Sequence, residues 1–309
     1  MATPKKPWHK FSVGDPSDNP RWTEPTCKPF DQVWHVTHIS NALTIIPQGT
    51  IRPQLIYDKS ILNTRRTLVN WVSPNHWSPG YRYGNVAFDF GWSQIIEGRR
   101  FYWVEVMEDY HPTACRILLT DNDYDDDPGL RPYDPTLGDG PWWWDDSEHI
   151  HYRNSNICLE FMLEFELSVP QCKSINFVKH HDKYCCVDSS FCPDFGLGHQ
   201  EAAARFLAGL IGEDIDVSAA PIDAKSIRGG WHWLAESWPK NRYSGDVGYG
   251  DAAAPALARA VASAYCRRKD QDFLNLAELF YNKAILQASV RDLAHAKFPQ
   301  INKAEEEII

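Results

Sequence analysis

The pattern of hydrophobic and polar positions changes character at about residue 190. Between Val33 and His181, short apolar runs of strand length are separated by Pro, Gly, Asn and Asp. These runs predict strands in QVWHVTH, TLVNWVSP, NVAFDF, FYWVEVM, CRILLT, NICLEFMLEFELSV and SINFVKHH. Two helices are predicted among them, SNALTIIPQG with Ser40 or Asn41 as N-cap, and DKSILNTRR. The pattern therefore predicts an α+β domain that is rich in strands.

The two ends of the chain have other patterns. Residues 1–32 are rich in Pro, Lys and Asp and predict an extended arm. Residues 33–190 form the predicted α+β domain. Residues 191–309 are predicted to be mostly helical, because apolar residues recur at helical spacing in GHQEAAARFLAGLIG, AAPALARAVASAYCRRK and DFLNLAELFYNKAILQASVRDLAHAKF.

Composition narrows the class of protein. A chain of 309 residues with 43% hydrophobic residues can bury a sizeable core. No apolar run reaches the roughly 18 residues that span a bilayer, and the first thirty residues lack the apolar segment of a signal peptide. The eight cysteines are then expected to be reduced thiols. We expect a cytoplasmic protein with no membrane partner.

Charge is unevenly distributed along the chain. The formal net charge is −10, and ten acids against two bases between residues 121 and 155 supply −8 of it. Such a balance argues against broad non-specific binding to phosphate backbones. The rest of the molecule is close to neutral and could still present a basic groove.

Two predicted strands carry ionisable residues that a core strand rarely uses. In QVWHVTH, alternation puts His35 and Thr37 on one face and His38 on the other. In NICLEFMLEFELSV, the same alternation puts Glu160 and Glu164 on one face, opposite an apolar face. The plain interpretation is that one histidine is exposed, that the other makes a hydrogen bond inside the core, and that the acids form a solvated sheet face. The alternative is that some of these groups form a site.

The first of these strands resembles the opening strand of the ADP-ribosyltransferase superfamily. There W-H-G-[ST] opens the NAD-binding groove of poly(ADP-ribose) polymerases; here the residues are W-H-V-T at 34–37, followed by Gly49 and Pro53. The pattern H-x-T-H-x-x-N-x-x-x-I is also similar to the start of DarT-type enzymes, which modify DNA bases. Val36 stands where the polymerases have Gly. The resemblance implies a split, mixed and antiparallel sheet with a C-terminal helical region.

The resemblance also implies roles for particular residues. His35 would bind the adenosine ribose of NAD, and the strand around Thr37 would hold the nicotinamide. The segment S-I-x-x-x-R beginning at Ser60 is similar to one whose Arg contacts NAD, which gives that role to Arg65, with Ser60 as a supporting cap. Arg66 is the alternative one residue along. An adjacent Arg pair is suited to a diphosphate, although most such pairs are solvated surface.

A ring that stacks on nicotinamide comes from a G-x-x-[YF]-F strand in the polymerases. Here G-N-V-A-F leaves Ala87 at the ring position. We place Tyr83 in the cofactor site and leave Tyr81 and Phe88 open as alternatives. The segment E-F-M-L resembles the strand that begins with the family's catalytic Glu, so Glu160 is expected to be catalytic, ahead of Glu164.

The chemistry explains why these residue types are needed. Loss of nicotinamide from NAD leaves an oxocarbenium-like ribose, which a fixed carboxylate stabilises, and the same carboxylate can accept the proton of the incoming nucleophile. No metal is required, and no metal ligand is assigned. The His- and Cys-containing stretch HHDKYCCVDSSFC lacks C-x-x-C pairs, so structural zinc is not expected there.

The expected function is transfer of ADP-ribose from NAD to a macromolecule, with nucleic acid ahead of protein as the target. Trp142, Trp143 and Trp144, just upstream of Glu160, could stack on bases. A toxin or defence effector of this kind would have a neutralising antitoxin partner. The alternatives are modification of a protein side chain, or a non-catalytic module that binds NAD or ADP-ribose.

Overall fold

The computed structural model confirms an α+β architecture in which strands predominate. It describes residues 27–56, 60–76, 81–107, 113–137, 140–181, 185–186, 192–212, 215–217, 219–223, 225–226 and 230. Within these ranges, no helix is long and apolar enough to cross a membrane. The described residues belong to two compact units: 27–35, 50–76 and 89–173 in the first, and 36–49, 81–88 and those from 174 onward in the second.

The strands are short and the helices few. The strands are β1 (Cys27–Phe30), β2 (Gln32–Thr37), β3 (Thr50–Ile51), β4 (Asn70–Val72), β5 (Val86–Gly91), β6 (Arg100–Met107), β7 (Ala114–Thr120), β8 (Arg131–Pro132), β9 (Trp142–Asp145), β10 (Ile150–Asn154), β11 (Cys158–Leu163), β12 (Leu167–Ser168) and β13 (Ser174–Phe177). The helices are α1 (Ile39–Gln48), α2 (Ile61–Arg65), α3 (Trp92–Ile96) and α4 (His199–Gly212).

A five-stranded mixed sheet, in the order β4-β11-β7-β6-β8, organises the first unit. Strand β11 lies parallel to β7 and antiparallel to β4. Every residue of β11 is buried, because Phe161 stacks on Trp92 on one face while Met162 joins an apolar cluster on the other. The predicted solvated acidic face is therefore wrong for Glu160, which lies inside the protein. A strand covered on both faces exposes neither of its alternating sets.

The segment upstream of β11 folds as a hairpin. Strands β9 and β10 pair antiparallel, and β1 pairs with the outer edge of β10. Residues 27–30 of the predicted arm are thus a strand. Trp142 is fully buried and lies edge-on to Phe161, so the expectation that its ring stacks on bases is wrong. Trp143 and Trp144 are only partly buried.

The second unit contains β13 and parts of β5 and β2, and these three strands pair in the order β13-β5-β2. Helix α1 packs against α4, where a side chain at Gly209 would overlap that of Leu43. Both helices confirm the sequence prediction, and Gly49 ends α1 with a left-handed φ of 70°. The N-cap of α1 is His38 and not Ser40 or Asn41. The predicted arm up to residue 26 and the two predicted helices between 252 and 298 lie outside the described residues.

Candidate functional site

His35 lies where the pairing between β2 and β4 stops. The two strands share a single antiparallel bridge, Trp34 with Ser73, whose N···O distances are 3.0 and 3.1 Å. Beyond it, His35 Nδ1 lies 2.9 Å from the carbonyl oxygen of Trp71, in the place of a backbone amide. Because a carbonyl only accepts, Nδ1 carries the proton. The His35 ring therefore replaces a backbone amide as the last hydrogen-bond donor between β2 and β4.

The protonation of His35 follows from its surroundings. Burial lowers the pKa of His35, and the hydrogen bond to Trp71 opposes that shift only in part. The ring is therefore neutral near pH 7, and Nε2 carries a lone pair. A neutral imidazole with a fixed Nδ1 proton presents Nε2 as a hydrogen-bond acceptor, the form that a ribose hydroxyl needs.

Glu160 is held by a buried arginine. Arg116 Nε donates to Glu160 Oε2 at 2.8 Å, and the side chains are 3% and 7% exposed. Arg116 Nη1 also donates to Glu105 Oε1 at 3.0 Å. The guanidinium lies 4.7 Å from the centre of the Trp71 ring. Two carboxylates on one guanidinium give this buried group a formal charge of −1.

One strand separates His35 from Glu160. Phe161 pairs with Val72, so Glu160 is level with Ser73, and Ser73 bridges to Trp34. Two strand spacings of about 4.8 Å put the backbones of β2 and β11 roughly 10 Å apart. In a flat sheet, His35 would project from the face opposite Glu160. Its ring reaches towards Trp71 instead, at the point where the strands part.

The thiols beside Glu160 stay protonated. Cys158 Sγ lies 3.9 Å from Glu160 Oε1, and Cys115 pairs with the residue before Glu160. Burial, with the neighbouring Glu160 charge as the next cause, raises the pKa of both thiols far above the usual range. Neither thiol is suited to act as a nucleophile, since the thiolate is the reactive form.

Glu164 has a different environment from Glu160. Its carboxylate accepts hydrogen bonds from Thr120 Oγ1 at 2.6 Å, Tyr124 OH at 2.9 Å and Asn122 Nδ2 at 3.1 Å. These partners lie at the end of β7 and in the turn that follows. Glu164 therefore fixes that turn. Of the two glutamates left open by the sequence, Glu160 is the one placed inside the sheet.

Arg65 is partly engaged by the protein itself. Ser60 caps α2 as predicted, since its hydroxyl accepts a hydrogen bond from an amide of the first turn. Arg65 Nη2 pairs with Asp127, and the guanidinium lies 5.1 Å from the ring centre of Tyr124. Arg65 Nη1 is buried and has no hydrogen-bond partner among the described residues. Arg66 is exposed at the end of α2 with a left-handed φ of 53°.

Thr37 and Gly84 meet backbone to backbone in the second unit. Gly84 has a φ of 138°, and a Cβ at this residue would lie 2.2 Å from the carbonyl carbon and oxygen of Thr37. Only glycine allows this approach. Thr37 itself is 7% exposed, and its hydroxyl accepts a hydrogen bond from Asn41 Nδ2 at 3.1 Å. The end of β2 is thus tightly held.

The three candidate stacking rings differ in exposure. Phe88 is fully buried, and Tyr81 is 6% exposed, with a pKa raised to about 12 by burial. Tyr83 is partly exposed, and the Arg82 guanidinium lies 5.6 Å from its ring centre. Of the three rings, Tyr83 is therefore the one that a ligand could reach.

Arginines at the start of β6 balance part of the acidic segment. Arg99 pairs with Asp121, and Arg100 lies 3.0 Å from Asp123 and 3.3 Å from Asp125. The run of acids that follows β7 is therefore less negative than its sequence indicates. Their partners Arg99 and Arg100 lie outside residues 121–155, so a count of charges within that segment does not include them.

Four side chains of metal-ligand type converge in the second unit. The ligand atoms of His38, His180, Cys185 and Cys192 all lie within 4.8 Å of one another. The Cys-containing stretch HHDKYCCVDSSFC alone did not predict zinc, because it lacks C-x-x-C pairs. The fourth group is His38, which precedes α1 and is distant along the chain.

Comparison of the chain with protein-family models, with curated proteins and with solved structures finds no match. The assignment of function therefore depends on the chemistry of the side chains. The first unit supplies a neutral imidazole, a buried carboxylate and a buried guanidinium donor. The second unit, taken by itself, supplies a partly exposed tyrosine ring.

Proposed function

We propose that the chain is an NAD-dependent ADP-ribosyltransferase with the split sheet of that superfamily. The observation that carries the proposal is the placement of His35 and Glu160 on strands β2 and β11 with only β4 between them. Trp71 of β4 contacts both groups, through its carbonyl oxygen to His35 and through its ring to the guanidinium that holds Glu160.

Glu160 is suited to the charge that develops in the reaction. Breaking the bond between nicotinamide and ribose leaves positive charge on the ribose, and fixed negative groups in a site of low dielectric stabilise it strongly. The Glu105–Arg116–Glu160 group supplies a net charge of −1 in a fixed geometry. We propose that the Glu160 carboxylate also accepts from a ribose hydroxyl. His35 Nε2 would accept from a hydroxyl of the other ribose.

The remaining roles follow the same chemistry. The buried Nη1 of Arg65 is a donor suited to a diphosphate oxygen, and Ser60 fixes the turn that carries it. The contacts of Tyr83 and of the Thr37 backbone with nicotinamide stay predictions from the sequence, since both residues belong to the second unit.

For the target, we propose a nucleic acid ahead of a protein. The β9–β10 hairpin leads directly into β11, so it is placed to select the acceptor. Trp143 and Trp144 are the tryptophans of the triplet with exposed surface, and stacking on a base is worth about 1–3 kcal/mol. Acids at the hairpin tip oppose phosphate and favour a basic protein. A cytoplasmic toxin with an antitoxin partner belongs to the same proposal.

Incubation of the purified chain with NAD labelled in the adenylate, together with separate DNA, RNA and protein pools, tests the function. Label should enter one pool, with release of nicotinamide. Glu160→Gln should reduce labelling at least a hundredfold, while Glu164→Gln, one residue past the end of β11, should retain it. Equal loss in both variants, with both folded, would assign the defect to the strand and not to the Glu160 carboxylate.

A second candidate is a module that binds NAD or ADP-ribose without turnover. The buried ion pair with Arg116 favours it, since a purely structural carboxylate would be held in the same way. Isothermal titration with NAD separates the two: binding without nicotinamide release in the wild type supports the module. Binding that persists in Glu160→Gln while release is lost supports the enzyme.

A further inference from the structure

We propose that His38, His180, Cys185 and Cys192 bind one structural Zn²⁺ ion. All four residues belong to the second unit, and their ligand atoms lie within 4.8 Å of one another. The proposal is independent of the transferase, because none of the four is assigned a part in binding NAD.

The distances within the cluster suit a tetrahedral ion. His38 Nε2 lies 3.5 Å from Cys185 Sγ, and His180 Nδ1 lies 4.0 Å from Cys192 Sγ. Zinc bonds of about 2.3 Å to sulfur and 2.0–2.1 Å to nitrogen put neighbouring S and N ligands of a tetrahedron about 3.6 Å apart. Small side-chain movements therefore close the site around an ion.

The ligand set selects zinc by its chemistry. Two thiolates and two neutral imidazoles form a Cys2His2 set that is complete at four ligands, as structural sites require. Binding of Zn²⁺ releases one proton from each thiol, so the ion and two thiolates are electrically neutral together. That neutrality suits the location, since His38, His180 and Cys192 are all buried. Neither Cys185 nor Cys192 forms a disulfide.

Groups behind the ligands orient them. His180 Nε2 lies 3.4 Å from the carbonyl oxygen of Arg82, which fixes the proton on Nε2 and leaves Nδ1 for the metal. His38 is the N-cap of α1 but makes no side-chain cap. Asp194, two residues after Cys192, accepts the Ile39 amide at 2.7 Å and caps the helix instead. The imidazole of His38 is thereby left for a ligand role.

The ion would fasten the segment from His180 to Cys192 onto the start of α1. Three ligands come from one stretch of chain, and His38 is separated from Cys185 by 147 positions. A metal that closes so long a loop removes much of the freedom of the unfolded chain. We therefore expect the second unit to depend on zinc for its stability.

Elemental analysis of the untagged full chain, purified without added metal, is the first test. We expect one zinc ion per chain, displaced by a chelator with release of two thiols to a thiol reagent. Reconstitution with Co²⁺ should give a sulfur-to-metal charge-transfer band and the visible bands of a tetrahedral site. Protein that contains no metal and gives no such spectrum after reduction and Co²⁺ addition overturns the proposal.

Variants locate the site. Cys192→Ser should lose at least nine-tenths of the bound zinc. Cys186→Ser should retain it, because Cys186 is exposed and outside the cluster. Cys192 is preferred to Cys185 for the test, since Cys186 could replace its neighbour. If Cys192→Ser does not fold, the Co²⁺ spectrum of the wild type decides. Two results would refute the assignment of these four ligands to zinc. One is a disulfide between Cys185 and Cys192 in protein purified under reducing conditions, and the other is loss of zinc in Cys186→Ser but not in Cys192→Ser.

Discussion

Removing Arg116 should destabilise the first unit far more than removing either of the carboxylates that it binds. The side chain is 3% exposed and donates to Glu160 at 2.8 Å and to Glu105 at 3.0 Å. In Arg116→Gln, both carboxylates lose their positive partner inside the protein. Breaking a buried ion pair by removing one member costs about 3–5 kcal/mol. We expect a fall of this size in the free energy of unfolding.

Glu160→Gln should be milder. The amide oxygen of Gln can still accept from Arg116 Nε, and Arg116 keeps Glu105 as an ionic partner. The loss of a charged acceptor is worth about 1–2 kcal/mol. In the double variant, the buried unpaired Glu160 charge is gone, so it should be more stable than Arg116→Gln alone by about 2 kcal/mol.

Urea unfolding followed by tryptophan fluorescence gives the four free energies, provided that the slope against urea stays constant across the variants. The matched control is Arg100→Gln, since Arg100 also binds two carboxylates but is 47% exposed. It should lose much less stability than Arg116→Gln. Strict additivity of Arg116→Gln and Glu160→Gln, or an equal loss in Arg100→Gln, would refute the view that burial of the charge group sets its cost.

Two further predictions concern other positions. Gly84→Ala should lower the free energy of unfolding by about 2–5 kcal/mol, because Gly84 has a φ of 138° and the added Cβ would overlap the Thr37 carbonyl. Gly49→Ala is the control and should cost about 1–2 kcal/mol, because the space around Gly49 is open. Similar losses for the two variants in thermal unfolding would contradict this prediction. Burial lowers the pKa of His151 from 6.5 to about 4. As the pH falls below 6.5, the unfolded chain therefore binds a proton at this residue before the folded chain does. The stability that is present above pH 6.5 should fall by at most about 3 kcal/mol as the pH drops to 4. His151→Phe should flatten this part of the profile of urea midpoint against pH, and an unchanged profile would assign the dependence elsewhere.

Local structure was predictable where short-range forces decide it. Each strand-like run between residues 33 and 181 contains a strand, and Ser60 caps α2 through a bond to its own first turn. The N-cap of α1 was not predictable, because the acceptor for its first amide is the Asp194 carboxylate, 155 positions away. The burial of Glu160 was missed for a similar reason. It depends on Arg116 of the neighbouring strand β7, which binds the Glu160 carboxylate and which strand alternation cannot show.

The site was predictable only as a list of residue types. The sequence indicates a carboxylate on a late strand but not its partner, since Arg116 lies 44 positions before Glu160 and matches no motif. The metal ligands show the same limit, because no spacing rule connects His38 with Cys185. Residues that become neighbours only through strand pairing share no recognisable sequence motif. The sequence pattern therefore indicates candidate residue types, and the register of the strands decides which side chains lie together.

His35 of β2 and His38, the N-cap of α1, lie on either side of a structural boundary. The first unit includes His35 and the second begins with the next residue. His35 takes the last position of the β2–β4 ladder within the first unit, and His38 joins the Cys-containing cluster within the second. The two histidines therefore have different surroundings, so loss of the proposed zinc ion in a His38 variant and loss of the proposed NAD binding in a His35 variant should be separable.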